Sequence, residues 1–204
     1  MKRVTTIDAI AAPLDESNID TDQLAPGRFL SKPVTPDVLL HDRRFDSHGD
    51  RRHDFVLNDP AYAGARILVT RRNMGIGSSR EAAANAVAMA GFDCVIAASF
   101  GDIFYNNCLQ NGILPIVLDE AAIDELIAFL QANPGRHLVI DLPAQTVAGE
   151  GLQVRPFTIS PRRKRCLVEG LDDFALTAQF GDALAEFEAG YYTARPWLAQ
   201  GHKI

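Results

Sequence analysis

The stretch Gly75-Ile-Gly-Ser-Ser-Arg-Glu-Ala-Ala83 brings two glycines, two hydroxyls and a guanidinium to what reads as the mouth of a helix. Ala65-Arg-Ile-Leu-Val-Thr70, just ahead of it, is apolar and reads as a buried strand. Gly75 and Gly77 would let the backbone turn sharply and come close to a ligand. The first N–H groups of a helix point outward, and the helix dipole adds positive potential there, so this arrangement suits a bound anion. Ser78 and Glu81 also match the S-x-x-E capping box. The serine therefore has two readings at this point, a cap or a hydroxyl presented to a ligand. Arg80 weighs toward the second. A cation in the first helical turn opposes the dipole by about 0.3–1 kcal/mol, and local conflicts of this kind mark functional sites. A guanidinium holds a carboxylate through two parallel hydrogen bonds. The same positive surroundings favour the ionised form of Ser78, which makes it a candidate base.

Commoner glycine motifs are excluded residue by residue. A dinucleotide fingerprint needs glycine where Arg80 stands, a P-loop needs GK[ST], and a nucleophile elbow GxSxG fails at Gly77-Ser78-Ser79-Arg80-Glu81.

The elements that must position these residues follow from the pattern. Apolar runs predict strands at 65–70, 94–99 and 113–118, and again at 137–142 and 153–159. Helices are predicted at 79–90, stopped by Gly91, at 102–111, and at 119–131, where Ile123, Leu126, Ile127 and Leu130 share one face. One or two more follow over 161–190. Strands alternating with helices predict an α/β fold with a mostly parallel central sheet and flanking helices. The two later strands are expected as a hairpin at its side, turning near Gly149-Glu-Gly151. The segment 31–59 is polar and weakly periodic and reads as a long loop. Loops of that length are often functional. Its His41, His48 and His53 match no compact metal-ligand spacing.

With 204 residues the chain fits one domain, 1–204, with a helical C-terminal segment over 161–204. Its 47% hydrophobic and 23% charged residues are those of a soluble globular protein. The net charge of -6 argues against nucleic-acid binding. The basic run Arg162-Arg163-Lys164-Arg165 reads as a solvated helix face or a local anion contact. No apolar run approaches the ~18 residues of a membrane span. The three cysteines, Cys94, Cys108 and Cys166, are widely spaced without CxxC. They suggest packing residues in a reducing cytoplasm rather than a disulfide framework or a metal site.

Several longer motifs occur in order: Asn18-Ile-Asp-Thr-Asp22, Gly75-Ile-Gly-Ser-Ser-Arg-Glu81, Ser99-Phe-Gly-Asp-Ile-Phe-Tyr-Asn-Asn107, Asn111-Gly-Ile-Leu-Pro-Ile116, and more weakly Gly170-Leu-Asp-Asp173 and Leu176-Thr177. Together they resemble the small subunits of 3-isopropylmalate dehydratase, in the aconitase superfamily. The resemblance implies a swivelling β/β/α domain of the aconitase type. It also implies a heteromeric hydro-lyase, active only with a large subunit that carries a [4Fe-4S] cluster on its own cysteines. The implied reaction interconverts 2-isopropylmalate and 3-isopropylmalate through an alkene, in leucine biosynthesis.

Carried onto this sequence, the family's base is Ser78. Ser79, Arg80 and the Gly77 backbone would hold substrate carboxylate, and Asp22 matches the family's active-site aspartate. A turn or cap is the alternative for Asp22. Arg28 and Lys32 are candidates for substrate contacts from the following loop. Asn106, Asn107 and Asn111 suit backbone-fixing hydrogen bonds. The family usually continues the motif as SSREHA; here Ala82 takes the histidine's place, and Ile76 stands where bacterial subunits often have cysteine. These departures open a second reading, a dehydratase for a methylmalate or dimethylmalate. A third, from another class, is a non-catalytic module that binds a carboxylate or a protein partner.

Overall fold

The computed structural model describes residues 3–31 and 33–199. The chain divides between Gly170 and Leu171 into two compact units. In the first, seven strands form one sheet: β1 (Thr6–Leu14), β2 (Ile67–Thr70), β3 (Cys94–Ala97), β4 (Leu114–Val117), β5 (His137–Asp141), β6 (Thr146–Ala148) and β7 (Arg155–Pro156). Their order is β4-β3-β2-β1-β5-β6-β7. The half from β1 to β4 is parallel, in register Ala11↔Ile67, Ile67↔Cys94 and Cys94↔Leu114. From β1 outward through β5, β6 and β7 the pairing is antiparallel.

The crossovers of the parallel half carry α3 (Glu81–Met89) and α4 (Asp102–Gln110), and α5 (Glu120–Ala132) links β4 to β5. Their ends fall within two residues of those the sequence predicts. The Asp119 carboxylate caps α5 by accepting from the Ala122 N–H at 2.7 Å. The sheet separates two cores. Ile67 and Val69 of β2 pack with Ile96, Leu114, Ile123, Leu126 and Leu130 on one face. Leu68, between them, packs with Val87, Val95, Phe104 and Ile113 on the other. Strands covered on both faces read as unbroken apolar runs, which is why β2, β3 and β4 are visible in the sequence.

Three readings are revised. The central strand, β1, is not among the predicted strands: its Ala9, Ala11, Ala12 and Pro13 are residues of low strand preference. The hairpin is β5–β6, turning through Pro143–Gln145, with Gln145 at φ +57°. The predicted strand at 153–159 supplies only the two residues of β7, which pair with β6 and not with β5. The 31–59 segment holds a helical turn, α2 (His41–Arg44), and 3-10 turns at Pro36–Val38 and Val56–Asn58. Val38, Leu39 and Leu40 anchor it in the second core.

A helix α6 (Pro161–Glu169) ends this unit, with the Ser160 hydroxyl at its start and Gly170, at φ +72°, at its close. The basic run lies on α6 and is engaged locally: Arg163 reaches Asn106 and the Tyr105 ring, Lys164 the Pro143 carbonyl, and Arg165 the Glu169 carboxylate. The second unit is helical, with α7 (Asp173–Ala178), α8 (Gly181–Ala194) and α9 (Pro196–Ala199).

Candidate active site

Three segments leave the carboxyl ends of the adjacent strands β1, β2 and β3 and converge. This is the end of a parallel sheet where ligands bind. The first runs from Asn18 into a helical turn, α1 (Thr21–Leu24), the second through Asn73–Arg80, and the third through Ser99–Asp102. Isolated bridges, Asp20↔Ile76 and Met74↔Phe100, continue the parallel pairing past the strand ends. Gly75 N–H donates to the Ile19 carbonyl at 2.7 Å, Thr21 N–H to Ile76 at 2.9 Å, and Gly101 N–H to Met74 at 2.9 Å. The packing is tight enough to demand glycine. A Cβ on Gly75, at φ +71°, would lie 2.1 Å from the Phe104 ring, and one on Gly101 would lie 2.5 Å from the Gly75 carbonyl oxygen.

A side-chain clip joins the same three segments. Asn73 Nδ2 donates to Asn18 Oδ1 at 2.6 Å, the Asn73 N–H donates to Ser99 Oγ at 2.8 Å, and Ser99 Oγ donates to Asn73 Oδ1 at 3.2 Å. Asn18 and Asn73 both adopt positive φ, +61° and +60°. Asn73 and its link to Ser99 escape the sequence reading. The available signal is an Asn two residues before a glycine, at the end of a buried strand.

Ser78 and Ser79 are exposed at the head of α3. The capping box suggested by Ser78 and Glu81 does not form. Arg80 N–H turns back onto the Ser78 carbonyl at 2.8 Å, so Arg80 and not Ser78 occupies the N-cap position. The Ser78 hydroxyl instead lies 3.3 Å from Thr21 Oγ1. Thr21 Oγ1 also donates to the Ser78 carbonyl at 3.1 Å. Arg80 Nη1 donates to Asp22 Oδ1; the arginine side chain is 27% exposed and the aspartate 60%. The cation that conflicts with a helix start is thus balanced by α1. Asp20, not Asp22, caps α1, with Gln23 closing a capping box.

The other expected site residues are placed as follows. The Gly27 backbone borders the cleft, since a Cβ there would sit 3.7 Å from Arg80 Nη1. The Arg28 guanidinium turns away to Asp42, with one hydrogen bond of 2.9 Å, and lies over the Phe29 ring. That hydrogen bond holds the Asp42 carboxyl below its ordinary range. Lys32 lies outside the described residues. Ala82 is partly buried against the second core, so the position of the family's histidine holds a packing methyl group. Asn106 and Asn111 donate to carbonyls four residues back, at 2.9 Å each, whereas Asn107 contributes its backbone carbonyl.

The chain matches the family model for the aconitase C-terminal domain over residues 1–121 and a second model, LeuD_N, over residues 124–161. It is 44% identical to the 3-isopropylmalate dehydratase small subunits of Neisseria meningitidis (strain FAM18) and Neisseria gonorrhoeae, over 98% of this chain and all of theirs. The chain belongs to the 3-isopropylmalate dehydratase small-subunit family. A crystal structure of 3-isopropylmalate dehydratase from Methanocaldococcus jannaschii shares the fold, with a TM-score of 0.63 and 23% identity, over 89% of this chain and 99% of that one.

Membership of this family implies a large-subunit partner and suggests an iron–sulfur cluster. The described residues of this chain do not fit a cluster. Among the described residues no three His, Cys, Asp or Glu side chains stand together as metal ligands. Cys94 and Cys108 are buried on different elements, and Cys166 is on α6. Burial pushes the Cys94 and Cys108 thiols up, away from the thiolate that a metal requires. Among the described residues no helix is long and apolar enough to cross a membrane.

Proposed function

We propose that this chain is the small subunit of a hydro-lyase that interconverts 2-isopropylmalate and 3-isopropylmalate by dehydration and rehydration, as in leucine biosynthesis. The observation that carries the assignment to this site is the exposed Ser78 hydroxyl held two residues from an Arg80 guanidinium that Asp22 orients. Ser78, as its alkoxide, is the base. It takes the proton from the carbon beside a carboxylate. The C–H electron pair becomes the second bond of the alkene, and hydroxide leaves from the neighbouring carbon. Rehydration reverses these steps at the other carbon.

Arg80 holds a substrate carboxylate through its remaining N–H groups. The Ser79 hydroxyl and the backbone at Gly77 add donors beside it. Asp22 acts by fixing Arg80, because a bare carboxylate facing an anionic substrate would repel it. Arg28 acts at most through the loop that borders Arg80, since Asp42 holds its guanidinium. Any cluster sits on the large subunit, a reading that the cysteine placement in this chain supports. The partners are that subunit and a small dicarboxylate, not nucleic acid or membrane. The acidic net charge and three unpaired cysteines suit such a role in the cytoplasm.

Ala82 and Ile76 favour a second reading, a paralogue for a shorter malate. The test is hydration of alkene diacids by the anaerobically assembled complex with its large subunit. Turnover of isopropylmaleate above its shorter relatives is the expected result. Turnover of citraconate or dimethylmaleate alone would establish the paralogue. With an intact complex, turnover of none of them would leave a binding module.

A further inference from the structure

Thr21 stands between the two halves of the site, and its sequence position gives no hint of this, 57 residues before Ser78. It is 2% exposed, one of the few buried polar side chains among the described residues. Its hydroxyl has two neighbours, the Ser78 carbonyl at 3.1 Å and the Ser78 hydroxyl at 3.3 Å. A threonine hydroxyl carries one proton and two lone pairs. A carbonyl can only accept, so in this arrangement the Thr21 proton points to the Ser78 carbonyl. The contact between the hydroxyls is then made by the Ser78 proton directed at Thr21 Oγ1. That is the arrangement of a neutral serine.

We propose that Thr21 is a positioning residue for the base: one rotation about its Cβ–Oγ1 bond redirects its proton from the Ser78 carbonyl to Ser78 Oγ when that oxygen is ionised. The inference rests on the assignment of Ser78 as the base. At 3.3 Å the contact between two neutral hydroxyls is loose, beyond the usual range. Charge on Ser78 shortens it, since O–H···O⁻ bonds run at about 2.5–2.7 Å.

The rotation leaves the Ser78 carbonyl with a partner, because Arg80 N–H already donates to it at 2.8 Å. The turn that presents Ser78 therefore persists while the hydroxyl proton changes acceptor. The backbone of Thr21 is held independently by its N–H bond to Ile76, and the α1 turn by the Asp20–Gln23 capping box. A hydrogen bond to a charged acceptor is worth more than one between neutral groups. Burial of Thr21 keeps its hydroxyl from taking a water as an alternative partner.

The experiment compares Thr21→Val, Thr21→Ser and Ser78→Ala in the assembled complex with the large subunit, measuring kcat and KM separately with isopropylmalate. Valine matches threonine in shape and removes only the hydroxyl, so the chain should fold and assemble normally. The expected result is a kcat lowered about 10- to 100-fold in Thr21→Val with KM nearly unchanged, and most of the kcat restored in Thr21→Ser. Ser78→Ala should be inactive. An inactive Ser78→Ala beside a fully active Thr21→Val would overturn the role of Thr21 alone. Activity kept in Thr21→Val but lost in Thr21→Ser would assign Thr21 to packing. An active Ser78→Ala would remove the base assignment itself, and with it the role of Thr21.

Discussion

Arg80, proposed above to hold a substrate carboxylate, already has Asp22 bound to one of its terminal nitrogens, and the consequences of that pairing are specific to arginine. A planar guanidinium can keep one edge on Asp22 and offer the other to a substrate carboxylate, while an ammonium is a point charge without a second edge. Arg80→Lys should therefore lower kcat/KM by about 10- to 100-fold, with the fold intact by circular dichroism. Asp22→Asn, which keeps an acceptor for Nη1 but not the charge, should lose less. An unchanged kcat/KM in Arg80→Lys would remove the arginine from substrate binding. At this scale the sequence shows the identity of the groups but not their pairing. Arg80 stands out because a cation conflicts with a helix start, and Ser78 because it stands beside it behind two glycines. That Asp22 answers Arg80 across 58 residues, and that Asp42 takes Arg28 out of the cleft, follows from how α1 and α2 fold back.

The loops that follow β1, β2 and β3 are short of regular structure, and the Asn18–Asn73–Ser99 clip does for them what a ladder does for strands. Asn73 contributes in two separable ways, a left-handed backbone and a bridging amide. Glycine keeps the first and loses the second, whereas alanine loses both, since a Cβ at positive φ costs roughly 1–2 kcal/mol. Asn73→Ala should thus be less stable than Asn73→Gly by about that amount in urea unfolding, and both should be less stable than the parent chain. Equal stabilities of the two variants would mean that the backbone conformation carries no strain. Elements were legible where burial made a continuous signal. Strands covered on both faces and the helix with Ile123, Leu126, Ile127 and Leu130 on one side announce themselves. The strand at the centre, β1, does not, because its Ala9, Ala11, Ala12 and Pro13 carry little strand preference. The clip is equally silent, being three polar residues that no period connects.

Across the whole of the first unit, one sheet divides two cores, and each core holds one buried cysteine. Cys94 lies on β3 in the core beneath α5, and Cys108 lies on α4 in the core on the opposite face. Burial raises both thiols, so neither presents the thiolate that reacts with an alkylating reagent. Cys166, partly exposed on α6, is the group open to reagent in the folded protein. Brief alkylation of the folded protein should therefore modify Cys166 first, as read by mass spectrometry of the digested chain. The two buried cysteines then report on cooperativity. Alternate residues of β2 and β3 face opposite cores, so loss of either face exposes the sheet that supports the other. Along a urea series Cys94 and Cys108 should become reactive together, at one midpoint, in keeping with a single cooperative unit. Modification of Cys108 at lower urea than Cys94 would show that the face carrying α3, α4 and the candidate site opens by itself, and that the site rests on a separately unfolding layer.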